Sequence, residues 1–507
     1  MRPFEIAFLL FEALLLAALS FRAARGPHGL RVLVLLVPAL LAGSQVWVEG
    51  YRWQMIPGYV LAGGLLLLAV VSFAGSLPVP RSAVWPGWML LAGAFTAGIA
   101  FPMFHLPKPA GPYSVGTEIR HLVDHGRMET LGGSAHRPRE IMIQIWYPAK
   151  VSPGGRPVRY VPDRRLIRAF IDSHLTSIAT HSFLNAPADP SAAPFPVVIF
   201  SPSWQGQRFQ NSFQVEELAS HGFVVVGIDH TYSTAVTLFP DGRIARAPNV
   251  PFEDVSSQQA FERSIQYDEK LMRVRVQDIR FVVDELQRKQ RYPDGLVEHL
   301  DLRRLGVLGF SFGGGAAAQT CWEDKRFLAG VNMGGTMFGE VAEQGVSQPF
   351  LFLDEGGEIP AEDLHSTNEA TRRYAEFEMR DVVQERRSLD AHGGYRVRIR
   401  GAGHHNFTDY ALFSPIRRIT DAGDIDPLRC MKIINAYTLA FFDKYLKQKK
   451  EPLLEGPSPY PEAQFEHAPP PEPLAAGEAP AASFDRGPKT PNRQGTNSGD
   501  AVRRPGT

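Results

Sequence analysis

Apolar positions run almost unbroken through residues 4–20, 29–48, 56–75 and 83–104. Each run is close to the ~20 residues a helix needs to cross a hydrocarbon core, so the pattern predicts about four transmembrane helices over 1–104. Four such runs exceed what a cleavable signal peptide explains. Glu5 and Glu12 lie seven residues apart, on one face of the first helix. A carboxylate there marks a bundle interior or a lipid head group, and Glu5, near the helix start, is expected at the interface. Arg22, Arg25, Arg31 and Arg81 flank the first and third loops, against Arg2, Arg52 and Lys108 on the other side. This bias places those loops in the cytoplasm and everything after residue 105 on the non-cytoplasmic side.

From about residue 105 the texture changes. Short apolar runs at 141–148, 196–201, 223–228, 328–333, 350–353 and 395–400 alternate with helical spacing. Residues 216–221 close one helix, with Gly222 as its stop, and Val274, Ile279, Val282, Val283 and Leu286 mark another over 270–290. Strand and helix in alternation predict an α/β domain over 105–450. Unbroken apolar strands suit a doubly wound, mostly parallel sheet covered on both faces. Residues 451–507 are rich in Pro, Ala and Gly without apolar periodicity, and are expected to be a disordered tail with no chemistry.

Composition adds exclusions. The 507 residues carry no net charge, which argues against a nucleic-acid partner. Cys321 and Cys430 are the two cysteines. They provide neither a disulfide framework nor a metal cluster, only one bridge or two buried thiols.

The candidate chemistry centres on Gly309-Phe310-Ser311-Phe312-Gly313, which follows the apolar run Leu305, Val307, Leu308 and precedes the small residues Gly314 to Ala318. Strand, tight turn and close-packed helix make this a nucleophile elbow with Ser311 exposed at its tip. A serine nucleophile needs a base later in the chain. His404 and His405 lie in a glycine-rich loop just past the last strand, and His404, first after the glycines, is the candidate. Asp354 at the end of 350–354 is the candidate acid, while Glu355 beside it projects to the opposite face. Backbone N–H groups of Phe312 and Trp204 are the candidate oxyanion donors, since Pro202 has no N–H to give.

Taken together, several segments resemble the plasma-type platelet-activating-factor acetylhydrolase family and its membrane-anchored bacterial branch. They are Gly-Pro-Tyr-Ser-Val-Gly-Thr (111–117), Ile-Trp-Tyr-Pro-Ala (145–149), Val-Val-Ile-Phe-Ser (197–201), Leu-Ala-Ser-His-Gly-Phe-Val-Val (218–225), Gly-Phe-Ser-Phe-Gly-Gly (309–314) and Gly-His-His-Asn-Phe-Thr-Asp (403–409). The resemblance spans about 111–445. It implies an α/β-hydrolase fold and hydrolysis of short or oxidised acyl esters of phospholipids by a Ser-Asp-His triad, without a metal or other cofactor. It also implies Ser311 as nucleophile and His404 as base. The chain departs from the family at Pro202-Ser203, where the family has His-Gly, and at Gly334, which stands where the family has its aspartate. The expectation is that Asp354 has taken over from the neighbouring strand; a dyad and an inactive site are the alternatives.

The resulting reading is a multi-pass membrane serine esterase or lipase acting on a lipid or small ester through an acyl-enzyme. A catalytically inactive membrane sensor and an acyltransferase are the competing readings.

Overall fold

The computed structural model describes residues 1–20, 28–74, 84–132, 137–250, 254–290 and 295–470. Arg22, Arg25 and Arg81, which carry much of the predicted charge bias, lie outside the described residues, as does the predicted tail beyond Pro470.

The apolar runs form helices α1 (Pro3–Ser20), α2 (His28–Glu49), α3 (Ile56–Ala74) and α4 (Val84–Ala100). Three of the four expected spans are long and apolar enough to cross a membrane. The fourth, α4, counts 17 among the described residues, which fall short because a helix rises only about 1.5 Å per residue against a core of about 30 Å. Phe8, Leu16, Leu61 and Leu91 fill the bundle interior, while Trp47, Phe73 and Met89 face outward. Glu5, expected at the interface, is covered by other parts of the protein. It is fully buried and accepts hydrogen bonds from Arg52 at 2.9 and 3.0 Å and from Arg2 at 2.9 Å. Arg52 also donates to the Phe101 carbonyl at 2.7 Å. The indole N–H of Trp53 donates to the Ile171 carbonyl at 2.8 Å, so this end of the bundle rests on the following domain.

That domain is built on strands β1 (Ser114–Met128), β2 (Pro138–Ala149), β3 (Ser182–Leu184), β4 (Phe195–Ser201), β5 (Val224–Asp229), β8 (Leu300–Phe310), β9 (Phe327–Met333), β10 (Phe350–Glu355), β11 (Gly394–Ile399) and β12 (Ala463–Ala468). They form one sheet in the order β12-β11-β10-β9-β8-β4-β5-β2-β1-β3, while β6 (Val236–Leu238) and β7 (Ile244–Arg246) make a separate hairpin. From β5 through β4, β8, β9 and β10 to β11 the pairing is parallel. Every residue of β4 and β5 is buried, as both-face coverage demands. Alternate residues feed two cores. Val198, Phe200, Leu308 and Phe310 pack with α5 (Ser212–Ser220) and the helix Pro427–Lys447. Val197, Ile199, Leu305 and Val307 pack with α6 (Gln258–Gln290), α7 (Phe312–Glu323) and the helix Glu369–His392. Gly222 follows α5 with φ 89°, as its predicted role as a helix stop requires. Cys321 and Cys430 are both free and buried.

The predicted start of the tail at 451 is corrected. Residues 463–468 form β12, which pairs antiparallel with β11. Phe465 stacks on Tyr395 and Tyr437, and Glu466 and Glu462 pair with Arg386 and Arg429. A six-residue edge strand among prolines carries too little periodicity to stand out; its partners supply the stability.

Candidate active site

The elbow forms where β8 meets α7. Ser311 has φ 55° and ψ −127°, a backbone state that L-residues occupy only under constraint. Its N–H donates to the Met333 carbonyl at 2.8 Å and its carbonyl accepts from Gly314 at 2.7 Å. The tightness explains two of the glycines: a Cβ on Gly309 would strike the Gly313 carbonyl, and one on Gly313 the Ser201 carbonyl. Phe312 is the first residue of α7, so its N–H lies in the first turn of a helix N-terminus.

The loop after β11 carries the histidine. Asn406 is buried and its Oδ1 accepts from Gly403 at 2.9 Å and Gly423 at 2.6 Å, which pins the turn. Three residues on, the Asp409 carboxylate accepts from Ser212 at 2.6 Å and Phe213 at 3.1 Å, capping α5. These contacts account for Gly403, Asn406 and Asp409 in the Gly-His-His-Asn-Phe-Thr-Asp pattern. Within the turn the two histidines part. His405 Nδ1 lies 2.7 Å from the Thr420 carbonyl, whereas His404 lies over Phe310, ring centroids 4.7 Å apart, beside the elbow.

The carboxylate beside the imidazole differs from the expectation. His404 Nδ1 lies 2.6 Å from Oε1 of Glu355. Asp354 faces the other side of β10, where Arg396 donates to it at 2.7 Å and pairs with Glu385 at 2.9 Å. Neighbouring strand residues project to opposite faces, so a single step in sequence decides which carboxyl meets the imidazole. Burial pushes Asp354 above the usual carboxylate range while Arg396 opposes it; burial and the charge on Asp354 push Glu385 well above that range. Asp354 is thus a structural group in a buried cluster. Gly334 has φ 55°, and a Cβ there would stand 3.6 Å from His404 Nδ1 and 3.7 Å from Glu355 Oε1. Gly334, where the resemblance places the family's acid, and the Glu355 carboxylate converge on one edge of the imidazole.

Trp204 lies in the turn after β4, its ring edge-on to Phe312 with centroids 5.5 Å apart. Beneath this turn runs a second serine–histidine–aspartate arrangement that sequence reading missed. The Ser201 hydroxyl lies 3.1 Å from His230 Nε2, and His230 Nδ1 lies 3.0 Å from Asp278. All three are fully buried, beyond reach of a substrate. Burial lowers His230 to about 4, so the ring is neutral. The signal for this relay was the polar pair Arg275 and Asp278 on the buried face of α6, where Val274 is only half-buried. A cavity of about 400 Å3 is lined by Trp204, His405, Phe209, Ala235, Phe413 and Phe101, the last just beyond the end of α4.

The family model described as platelet-activating factor acetylhydrolase, isoform II, matches residues 98–454. A probable 1-alkyl-2-acetylglycerophosphocholine esterase of Arthroderma benhamiae is 25% identical over 407 residues, covering 74% of this chain and 97% of that protein. The platelet-activating factor acetylhydrolase of Cavia porcellus is 24% identical over 385 residues, covering 67% of this chain and 78% of that one. Among solved structures, a ferulic acid esterase from Streptomyces cinnamoneus superposes with a TM-score of 0.57 at 28% identity, covering 72% of this chain and 99% of that one.

Proposed function

Because this chain belongs to the platelet-activating factor acetylhydrolase, isoform II, family and is a carboxylic ester hydrolase, we propose that it is a membrane-anchored serine esterase cleaving short-chain or phospholipid-type esters through an acyl-enzyme. The observation that carries this reading is the pairing of His404 with Glu355 beside the strained Ser311 elbow.

With Nδ1 held by Glu355, His404 keeps Nε2 for the Ser311 hydroxyl. Ser311 Oγ attacks the ester carbonyl as its proton passes to Nε2, and the N–H groups of Phe312 and Trp204 receive the developing oxyanion. Collapse expels the alcohol with that proton and leaves Ser311 acylated. Water then attacks, giving its proton to His404, and collapse returns the proton to Ser311 and releases the acid. Glu355 stabilises the imidazolium in both halves.

The cavity supports an amphiphilic substrate, since its volume lies within the usual range of about 300–1,000 Å3 and its lining includes both Trp204 and Phe101. The substrate's hydrocarbon chain occupies it. The length and apolarity of α1–α3 support a membrane anchor, and the arginine bias in the first and third loops supports a catalytic domain on the non-cytoplasmic side.

The test is hydrolysis of p-nitrophenyl acetate by the full chain in lipid nanodiscs, with Ser311→Ala as control. Turnover abolished by Ser311→Ala, with stoichiometric fluorophosphonate labelling of Ser311, supports the reading. Absence of both turnover and labelling in the wild type overturns it. Ester product formed on an added alcohol, in place of free acid, points to an acyltransferase.

A further inference from the structure

The turn that carries Trp204 is gripped from beneath by one guanidinium. Arg275 projects from α6 and is fully buried. Its Nη2 donates to the Ser203 carbonyl at 2.9 Å, its Nη1 to the Pro202 carbonyl, and its Nε to the Ser233 hydroxyl at 2.9 Å. The guanidinium also lies over the Phe312 ring, 4.9 Å from the centroid. One planar fork therefore touches the turn after β4 and the residue that opens α7.

A trans peptide is planar, so its C=O and N–H point in opposite directions. Holding the Ser203 carbonyl on Arg275 consequently fixes the direction of the Trp204 N–H. The same carbonyl accepts from Gly206 at 2.9 Å, closing a turn in which Gln205 has φ 54°. The preceding peptide is held at both ends as well, its carbonyl on Arg275 and the Ser203 N–H on Gln210 Oε1 at 2.9 Å. One turn along α6 from Arg275, Asp278 anchors His230 and through it the Ser201 hydroxyl. If the 203–204 peptide turned over, a carbonyl would replace the N–H directed at the substrate oxygen, and attraction would become repulsion.

We propose that Arg275 is a positioning residue for the oxyanion hole, locking the 202–204 peptides so that the Trp204 N–H faces the charge that develops during ester attack. This rests on the Ser311 esterase reading above. A lysine cannot stand in, because an ammonium on a flexible stem does not present a rigid fork to two carbonyls and a hydroxyl at once.

The experiment compares wild type, Arg275→Lys, Arg275→Met and Ser233→Ala, each as the full chain in nanodiscs, with turnover of p-nitrophenyl acetate normalised to fluorophosphonate-titrated serine. Arg275→Lys is expected to lower kcat about 10- to 100-fold with KM within about twofold, because only the transition state carries the oxyanion. The Ki of a trifluoromethyl ketone, which forms a tetrahedral adduct, rises by the same factor as kcat/KM falls. Ser233→Ala frees one anchor without touching either carbonyl and costs kcat about threefold, with no further loss when added to Arg275→Lys. If Arg275→Met fails to fold, the other two variants still decide. Unchanged kcat per titrated serine in Arg275→Lys and Ser233→Ala, or a rise confined to KM, overturns the proposal while leaving the esterase reading intact. A wild type without turnover or labelling instead fails the esterase reading itself.

Discussion

Glu355 holds His404 at 2.6 Å, Oε1 to Nδ1, across the end of β10, and a Cβ on Gly334 would stand 3.7 Å from that same carboxylate oxygen. A glutamate from one strand thus approaches the imidazole over a glycine at the end of the strand before it. Its longer side chain spans the extra strand spacing.

Glu355→Gln should lower kcat about 10³- to 10⁴-fold, since an amide neither stabilises the imidazolium nor enforces the tautomer. Asp354→Asn should leave kcat per titrated serine within about threefold, because its partners are Arg396 and Glu385. Its cost is stability: weakening a buried ion pair lowers Tm by several degrees. Ester hydrolysis together with thermal denaturation of the two variants checks both halves.

Gly334→Asp restores the family's acid but crowds a second carboxylate against Glu355, at a φ of 55° that aspartate tolerates better than most residues. Alone it should reduce kcat about 10-fold or more through like-charge repulsion and displacement of Glu355. Combined with Glu355→Ala it should exceed the activity of Glu355→Ala alone by about 10-fold or more, as the new acid takes over the imidazole. Equal activity of the double variant and Glu355→Ala would show that Gly334 is not an alternative seat for the acid.

Ala235 is buried and lines the cavity that leads to Phe101. Ala235→Leu fills part of that space, so kcat/KM for p-nitrophenyl decanoate should fall about 10-fold or more while p-nitrophenyl acetate changes less than about twofold. Equal losses on both esters would place the chain elsewhere.

His230 contributes a pH dependence of stability with a definite sign. Burial lowers it to about 4 in the folded protein, against about 6.5 when unfolded. Asp278 accepts from it and favours the charged ring, while Arg275 and Arg139 oppose that charge. Between these values the unfolded chain binds a proton that the folded chain does not. Its contribution is therefore complete above about pH 6.5 and falls by roughly 3 kcal/mol as the pH drops to about 4. Relative to His230→Gln, the wild type should lose Tm progressively over that window and run parallel to it above pH 7. Parallel curves throughout would refute the depressed pKa.

Much of this was legible along the chain because it rests on local order. Periodicity alone marked the apolar helices and the continuous strands, since burial on both faces leaves no polar position in β4 or β5. Ser311 stood out because the elbow needs glycines at fixed offsets, and His404 because a base must follow the last parallel strand. Local order also failed in identifiable places. The run of α4 reads as apolar as the others, yet its helix counts 17 among the described residues. Six residues of β12 became a strand only because β11 offered an unpaired edge.

The residue order by itself determined the α/β architecture, the apolar helical bundle ahead of it, and the placing of Ser311 and His404 at the carboxyl ends of parallel strands. Only the tertiary structure decided between Asp354 and Glu355, since adjacent strand residues face opposite sides and the side that matters is set by where a loop 49 residues later comes to rest. It also revealed Arg275, Asp278 and His230, whose partners lie 29 to 151 residues away. Spacing along a chain encodes a turn or a helix face. It does not encode which polar groups meet when distant segments pack, because that depends on the three-dimensional course of everything between them.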